Sequence, residues 1–275
     1  MSTDPGLEAV LELRGHARAA LLARRFEDRR ASLSASYIAH TPDYTIVDAQ
    51  ELTDALSSGR VAYDAFQDDV IEYAKPHGPD LVVLLGVETV VPSAGRPNAG
   101  KRVARKFSDI YRKVGGVWRH DVRHAHIADR ELARGIVPPA APRLRISDDP
   151  HVAKVLAYRK ATLDAITPGA SRDPTGRYSS TFIANTPTGA IVTGPQMATM
   201  FAGGSVGYSS VTQAIEYANH HAPDLVVVMG GEIVVPREGT PNAGRKIYRR
   251  FTDLFRLEDG EWRHDLRHAN IWKIE

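Results

Sequence analysis

The sequence contains no cysteine among its 275 residues. Disulfides, a thiolate nucleophile and a cysteine-ligated zinc site are therefore excluded. No apolar run approaches the ~20 residues of a membrane span, and the N-terminal MSTDPGLEAV lacks the basic and apolar regions of a signal peptide. We therefore expect a cytoplasmic protein that has no membrane partner.

The sequence also lacks an excess of charge of one sign, because it contains 35 basic and 33 acidic residues and the two kinds are interleaved. No basic stripe with aromatic residues is present, so we expect no nucleic-acid partner. GxSxG, Walker A and GxGxxG patterns do not occur, which argues against a serine hydrolase, a nucleoside-triphosphate site and a Rossmann domain. We expect no cofactor.

The main feature that is present is a duplication. WRHDVRHAHI at 118–127 returns 144 positions later as WRHDLRHANI at 262–271. Between 71–127 and 215–271 more than half of the positions are identical, without a gap. Repeats this long are domain-sized, so the pattern indicates two tandem copies of one domain rather than a solenoid of short units.

Both copies predict the same order of elements. Apolar residues at helical spacing predict an N-terminal helix over 7–25 and over 150–166. Residues 26–33 predict a second short helix, and its counterpart at 171–180 holds Pro and Gly and is a poorer helix. A hairpin, a short helix and four strands then follow, at 36–48, 49–56, 61–73, 81–91, 102–112 and 118–127 in the first copy and at 180–194, 195–201, 206–217, 225–235, 246–256 and 262–271 in the second.

Short turns between the strands predict an antiparallel meander, and the fold class is therefore α+β. We place the first domain at 1–128, a Pro-rich linker at 129–149 and the second domain at 150–275. Trp118 and Trp262, which begin the last strands, are predicted core residues.

Three motifs in each copy resemble the NTF2-like superfamily, the SnoaL-like and ketosteroid-isomerase-like group. They are LLGVETVVP, RKFSDIYR and GGVWRHDVRHAHI in the first copy, and VVVMGGEIVVP, RRFTDLFR and DGEWRHDLRHANI in the second. The resemblance implies a cone-shaped domain, in which N-terminal helices pack on a curved antiparallel sheet around a pocket. It does not imply one activity, because this group includes isomerases, cyclases, dehydratases, epoxide hydrolases and non-catalytic assembly domains.

Strand alternation assigns the polar residues of the sheet to faces. On the third strand of the first copy one face carries Arg105, Phe107, Asp109 and Tyr111. On the fourth strand Asp121 shares a face with Arg119, Arg123 and Ala125, and the other face carries Trp118, His120, Val122 and His124. We expect the aromatic neighbours of Asp109 and Asp253 to raise the pKa of these carboxyls, as proton transfer at neutral pH requires.

The resemblance implies that some of these residues point into each pocket. The catalytic candidates are Glu88, Asp109, Asp121 and Arg123 in the first copy and Glu232, Asp253, Asp265 and Arg267 in the second. The ligand-binding candidates are Arg105, Tyr111, His124, Arg249, Phe255 and His268. Two interpretations stay open for the charged set: an ion-pair network that fixes strand register, or a working polar pocket.

A metal site is the less favoured interpretation of the histidines. His120, His124 and His126 share strand parity, but residues two apart on a strand are separated by ~6.6 Å. Zinc needs its ligands about 2.0–2.1 Å from one centre. The second copy also replaces His126 with Asn270, so we expect no metal.

Three hypotheses for function follow. The first is a small-molecule-binding protein whose two copies form an intramolecular pseudo-dimer within a monomeric chain. The second is an enzyme of the SnoaL or ketosteroid-isomerase kind that uses pocket carboxylates in acid–base catalysis, and the third is a non-catalytic structural hub. The copies differ at the predicted pocket mouth, where His40 is replaced by Asn185 and 62–69 by 207–213, which indicates different ligands or one degenerate site.

Overall fold

The computed structural model describes residues 4–166 and 177–275 of the chain. The chain divides into two compact units between Pro139 and Ala140. Most of the predicted poor helix at 171–180 lies outside the described residues. None of the helices in the described ranges combines the length and the apolarity that crossing a membrane requires.

The first unit places helices against one mostly antiparallel sheet. In the described residues its elements are α1 (Pro5–Leu22), α2 (Phe26–Ala31), β1 (Leu33–His40), β2 (Ile46–Asp48), α3 (Ala49–Ser57), β3 (Tyr63–Gly78), β4 (Leu81–Pro92), β5 (Val103–Val114) and β6 (Val117–Ile127). The sheet order is β2-β1-β6-β5-β4-β3, and β3 to β6 form the antiparallel meander that the short turns predict. β1 lies parallel to β6, which brings the hairpin strand beside the WRHD strand.

The second unit repeats this order. Its described elements are β7 (Arg145–Ile146), α4 (Pro150–Ile166), β8 (Tyr178–Asn185), β9 (Ile191–Thr193), α5 (Gly194–Ala202), β10 (Tyr208–Ala222), β11 (Leu225–Pro236), β12 (Ile247–Glu258) and β13 (Glu261–Ile274). The sheet order is β7-β10-β11-β12-β13-β8-β9. β7, which falls within the predicted linker, adds a short parallel strand beside β10. The predicted α+β class and the tandem repeat of one domain are confirmed.

Local sequence signals explain where the helices begin. The Asp4 side chain accepts hydrogen bonds from the backbone N–H groups of Gly6 and Leu7, at 2.8 and 3.0 Å, and Pro5 occupies the first turn of α1. Asp149 accepts from the backbone N–H of His151 at 2.7 Å in the first turn of α4. Carboxylates in these positions satisfy donors that the helix itself leaves open.

A glycine at the middle of the second meander strand allows each sheet to bend. A side chain at Gly86 would lie 2.1 Å from the carbonyl oxygen of Val70, and one at Gly230 would lie 2.1 Å from that of Ala214. The pairing register shifts close to these points, in β3 and in β10. Bulges of this kind bend and twist a strand, and they curve the sheet around the space under the N-terminal helix.

A bulge in the last strand corrects the predicted faces. Ile110 pairs with Val122 but Tyr111 pairs with His120, so Asp121 is the extra residue. The second unit has the same shift, which leaves out Asp265. One extra residue exchanges the faces on its two sides. The prediction that Asp121 shares a face with Arg123 is therefore wrong, and His120 lies on the Arg123 side instead.

The two strand-opening tryptophans differ in burial. Trp262 is 8% exposed and belongs to the core cluster formed by α4 and the second sheet. Trp118 is only partly buried and packs against the edge of the corresponding cluster in the first unit. The prediction of a core residue is confirmed for Trp262 and only in part for Trp118.

We expect Trp262→Ala to lower the free energy of unfolding by about 3–5 kcal/mol, because it removes a large buried ring. Trp118→Ala is the matched variant and should cost clearly less, since its ring already contacts solvent. Urea unfolding followed by circular dichroism measures both. Equal losses for the two variants, or no loss for Trp262→Ala, would contradict this assignment of the cores.

Candidate functional site

A buried arginine from the N-terminal helix forms the centre of the first unit's polar cluster. Arg14 follows the fully buried Val10 by one helical turn, so the apolar face of α1 carries it towards the sheet. Its guanidinium donates to Asp109, and it reaches Asp69 at 3.0 and 3.2 Å and Glu88 at 3.3 Å. The same group lies 4.1 Å from the centre of the Phe107 ring.

The sheet supplies the rest of this cluster. Arg123 donates to Asp109 at 2.8 and 2.9 Å and also to Glu88. Arg105 donates to Glu88 at 2.6 Å, and the Nε2 atom of His120 lies 3.2 Å from Asp109. Asp109 and Glu88 are almost completely buried, and each contacts at least two arginines.

The second unit repeats these contacts. Arg159 on α4 donates to Asp253 and lies 4.1 Å from the centre of the Phe251 ring. Arg267 joins Asp253 at 3.0 Å and Glu232 at 2.5 Å. The remaining pairs of the cluster are Arg249 with Glu232 at 3.4 Å, Arg249 with Tyr208 at 3.1 Å, and His264 with Asp253 at 3.4 Å.

The two clusters differ at one carboxylate. Asp69 of β3 accepts hydrogen bonds from Arg14 and from Arg18, the latter at 2.5 Å. The equivalent position in the second unit is Gln213, whose Oε1 accepts from Arg159 at 3.1 Å and whose Nε2 donates to Glu232 at 3.2 Å. The position equivalent to Arg18, four residues after the helix arginine, is Leu163. An ion pair at the outer edge of the first cluster is therefore replaced by neutral side chains.

A cavity of about 280 Å³ opens over the second cluster. Its polar end is formed by Arg159, Glu232, Arg249 and Arg267. Aromatic pairs line its walls: Tyr178 stacks on Phe182 with ring centres 3.9 Å apart, and Phe255 stacks on His264 at 4.8 Å. Predominantly apolar walls with a few placed polar groups are typical of small-molecule sites.

Two side chains at this cavity have unused hydrogen-bonding capacity. Asn185 is completely buried, and neither atom of its amide group has a partner among the described residues. The Nη2 atom of Arg159 is likewise buried without a hydrogen-bond partner in the described part of the chain. Both residues line the cavity. Buried polar groups are normally paired, so these atoms mark places where a ligand or water can bind.

The arginines keep the cluster carboxyls ionised. Burial alone would raise the pKa of Asp109, but Arg123, His120 and Arg14 outweigh it and hold that pKa well below its usual range. Burial also opposes the ionisation of Glu232, yet Arg267 and Arg249 lower its pKa to about 2. Glu88 shifts in the same direction, through Arg123 and Arg105. The prediction that aromatic neighbours raise the pKa of Asp109 is wrong. The nearby arginines and His120 lower this pKa by more than burial raises it.

The histidines beside the two aspartates are held neutral. Burial, followed by the charges of Arg267 and Arg159, lowers the pKa of His264 well below its usual value. Burial also lowers the pKa of His120, although Asp109 acts in the opposite direction. At neutral pH the first cluster therefore combines the ionised carboxylates of Asp109 and Glu88 with a neutral His120, and the second combines the ionised Glu232 with a neutral His264.

The structure brings together most of the residues that the sequence singled out. Glu88, Arg105, Asp109 and Arg123 form one cluster, and Glu232, Arg249, Asp253 and Arg267 form the other. Tyr111 stacks on His120 with ring centres 4.7 Å apart, and burial raises the pKa of Tyr111 to about 12. Phe255 lines the second cavity.

Asp121 and Asp265 lie elsewhere, which corrects the prediction that they share the pockets. Asp121 accepts hydrogen bonds from Ser34 and, at 2.7 Å, from Ser36, and it pairs with Arg112. Asp265 accepts from Ser179 and Thr181 at 2.5 and 2.7 Å. The bulge turns both carboxylates away from the clusters, towards the strand that lies parallel to β6 or β13.

The two predicted ligand-binding histidines are not placed with the clusters. His124 packs against His40, with ring centres 4.6 Å apart. His268 is completely buried but is not among the residues that line the second cavity. Each lies one residue after a cluster arginine, so strand alternation directs it to the opposite face.

Sequence reasoning missed the helix arginines and their β3 partners. Arg14 follows Val10 by four residues, and Arg159 follows Val155 by four, so a charged residue occupies the same place on an apolar helix face in both copies. That coincidence was the available signal. Asp69 and Gln213 gave none, because they differ between the copies.

Comparisons with known proteins give similar structures. The chain is similar to an NTF2-like protein from Cytophaga hutchinsonii (15% identity, 46% of this chain and 99% of that chain, TM-score 0.39) and to a ketosteroid isomerase-like protein from Erwinia carotovora atroseptica (15%, 46% and 99%, 0.39). It is also similar to the CamKII hub homology domain of Chlamydamonas reinhardtii (13%, 44% and 98%, 0.37).

The chain resembles NTF2-like proteins in structure, as its motifs predict. No family model matches the chain, and no curated protein matches it in sequence.

The Glu232 carboxylate should make the second unit sensitive to acid. Because its pKa falls from 4.5 to about 2 on folding, its contribution is complete above pH 4.5 and is lost as the pH falls towards 2. We expect Glu232→Gln to cost about 3–5 kcal/mol at pH 7, since Arg267 and Arg249 lose their charged partner. The cost should shrink towards pH 2.

Chemical denaturation of wild type and Glu232→Gln between pH 2 and 7 measures this linkage. Glu261→Gln, which changes an exposed acid at the start of β13, is the control and should have little effect on the free energy of unfolding at any pH. A destabilisation by Glu232→Gln that stays constant over the whole range would show that folding does not depend on the ionisation of Glu232.

Proposed function

We propose that the second unit binds a small organic molecule in the cavity between α4 and its sheet, and that the protein is a small-molecule-binding one. The observation that carries this proposal is the buried, unpartnered Asn185 at the wall of a cavity of about 280 Å³. Leaving a buried polar group unpaired costs about 1–3 kcal/mol. A ligand that bonds both amide atoms recovers this energy.

The composition of the cavity supports the same proposal. Its size lies at the lower end of the roughly 300–1,000 Å³ typical of small-molecule sites. Stacked rings on its walls offer a flat apolar contact, and the arginines offer fixed hydrogen-bond donors at one end. Apolar walls with polar anchors at defined places favour binding of one compact ligand.

Binding is favoured over acid–base catalysis. A general acid or base at neutral pH needs a pKa close to 7. Glu232 has a pKa of about 2, and its carboxylate already bonds Arg267 and Gln213. An isomerase- or cyclase-like enzyme therefore stays the alternative that these charges support less.

The first unit has a different role in this proposal. Its charged cluster is completed by Asp69, and we assign it a structural part, as the partner copy in an intramolecular pseudo-dimer expected from the duplication. Pairing within one chain leaves the protein monomeric, and light scattering after size exclusion tests that mass. A dimeric chain would contradict the expectation.

A thermal-shift screen with a metabolite library tests the binding proposal. A ligand present at 100 times its Kd stabilises the folded state by about 2.7 kcal/mol, which shifts the melting temperature by several degrees. Asn185→Leu should abolish the shift of a genuine ligand while leaving the protein folded, because it removes both amide groups and keeps a similar volume. Asn219→Leu, an exposed amide on β10, is the matched control and should leave the shift intact.

Two results would sink the proposal. One is a library in which no compound stabilises the wild type. The other is a set of hits that stabilise Asn185→Leu as much as the wild type, because those compounds would bind somewhere other than this cavity.

A further inference from the structure

We propose that the ligand of the second unit is a small monocarboxylate with an apolar body, whose carboxylate binds the Nη2 edge of the Arg159 guanidinium, beside Gln213, the residue that stands where the first unit has Asp69. This inference rests on the proposed function and names the chemical class of the ligand. It comes from comparing the two copies, whose clusters share most of their side chains but differ where Asp69 and Arg18 are replaced by Gln213 and Leu163.

In the first unit a carboxylate of the protein, that of Asp69, binds the helix arginine Arg14. Asp69 accepts hydrogen bonds from Nε and Nη2 of Arg14, at 3.2 and 3.0 Å. Two neighbouring donors of one guanidinium meeting one carboxylate is the bidentate arrangement that arginine favours. Arg18, which is 22% exposed and also donates to the backbone of Gln67, covers the outer side of this carboxylate.

The second unit has the same donors without the acid. Nε of Arg159 bonds the neutral amide oxygen of Gln213 at 3.1 Å, and Nη2 of Arg159 is buried without a hydrogen-bond partner in residues 4–166 and 177–275. One half of the bidentate pair is therefore unused. Leu163 replaces the covering Arg18 and lines the cavity, so this edge of the guanidinium lies beside ligand space instead of beside an internal ion pair.

The charge balance leaves room for a single negative charge. In the first unit the guanidiniums of Arg14, Arg18, Arg105 and Arg123 contact three carboxylates, those of Asp69, Glu88 and Asp109. In the second unit Arg159, Arg249 and Arg267 contact two, Glu232 and Asp253. Each cluster therefore holds one guanidinium more than it holds carboxylates. The units differ in pairing, because Nη2 of Arg14 bonds Asp69 and Glu88, whereas Nη2 of Arg159 has no hydrogen-bond partner among the described residues and can accept one anion.

The remaining walls define the rest of the ligand. Glu232 is the acidic residue among those lining the cavity, and its carboxylate bonds Arg267 and Arg249. Asp253 bonds Nη1 of Arg159, which leaves Nη2 of that guanidinium as the donor open to a ligand. Away from the arginines the lining is mostly aromatic or aliphatic, with Tyr178, Phe182, Phe255 and Leu163, and it also includes the buried amide of Asn185. An inorganic anion would leave these walls without contact. A carboxylic acid with a largely apolar body contacts both ends of the cavity, and a polar substituent on that body is the group that would bond Asn185.

The test compares acids with neutral molecules of the same shape. Hexanoate, benzoate, phenylacetate and 1-naphthoate are each paired with the primary amide of the same acid, and inorganic phosphate is a separate arm. Thermal shift on the full-length protein, confirmed by calorimetry, measures binding. We expect at least one carboxylate to raise the melting temperature, its amide to have at least tenfold weaker affinity, and phosphate to have no effect.

Gln213→Asp supplies the missing carboxylate from the protein itself. It should raise the melting temperature of the ligand-free protein by about 2–4 °C and abolish the shift that the carboxylate produces. Thr212→Asp adds the same charge at an exposed position one residue earlier, outside the cavity, and should leave carboxylate binding intact. Should Gln213→Asp fail to fold, the comparison of acids with amides on the wild type still decides the question.

The outcomes separate the two levels of the proposal. If an amide binds as well as its acid, or phosphate alone binds, the carboxylate inference is overturned and a ligand cavity remains. Unchanged carboxylate binding by Gln213→Asp, or equal loss in Thr212→Asp, overturns the placement beside Arg159. If no compound of the panel binds and the metabolite library also yields nothing, both the inference and the proposed function fail.

Discussion

Each unit depends on one buried carboxylate, Asp109 or Asp253, at the middle of the third meander strand. Neither side chain reaches solvent, and an ionised carboxylate in such a place is stable only if cations and hydrogen-bond donors surround it. One of those cations comes from the N-terminal helix, as Arg14 or Arg159, and another from the last strand, as Arg123 or Arg267. The carboxylate therefore helps to fix the position of the helix over the sheet, and in the second unit a cavity lies beside that helix.

Much of this could be predicted from the sequence, and the reasons for the rest are physical. The duplication, the α+β class and the meander follow from repeated motifs and short turns, whereas the gathering of the charged strand residues is implied by the resemblance to the NTF2-like superfamily. The displacement of Asp121 does not, because a bulge inserts one residue and nothing in RHDVRH indicates which residue it is. The role of Arg14 was not predicted, because the helix was inferred from apolar residues alone. Its buried face also carries this charged side chain.

The prediction of a raised pKa for Asp109 is wrong for a specific reason. The sequence predicts that Phe107 forms an apolar wall, which would disfavour the ionised carboxyl. In the structure the flat face of that ring supports a guanidinium, with Arg14 at 4.1 Å and Arg123 at 5.5 Å from its centre. Phe251 supports Arg159 and Arg267 at the same two distances. An aromatic neighbour on a strand is thus as compatible with a cation platform as with a hydrophobic pocket, and the choice depends on residues far away in sequence.

The duplication allows the pairing of the two clusters to be compared on nearly the same scaffold. Exchanging Asp69 for Gln213 and Arg18 for Leu163 removes an ion pair and leaves the buried core of the cluster in place. If both clusters served only to hold the helix on the sheet, the second would be expected to pair the donors that this exchange frees, because an unpaired buried polar group lowers stability. Instead, in the described part of the chain, Nη2 of Arg159 and the amide of Asn185 have no hydrogen-bond partner and lie beside a cavity. A site that sacrifices some stability for unpaired donors is expected where those donors have a ligand to bind.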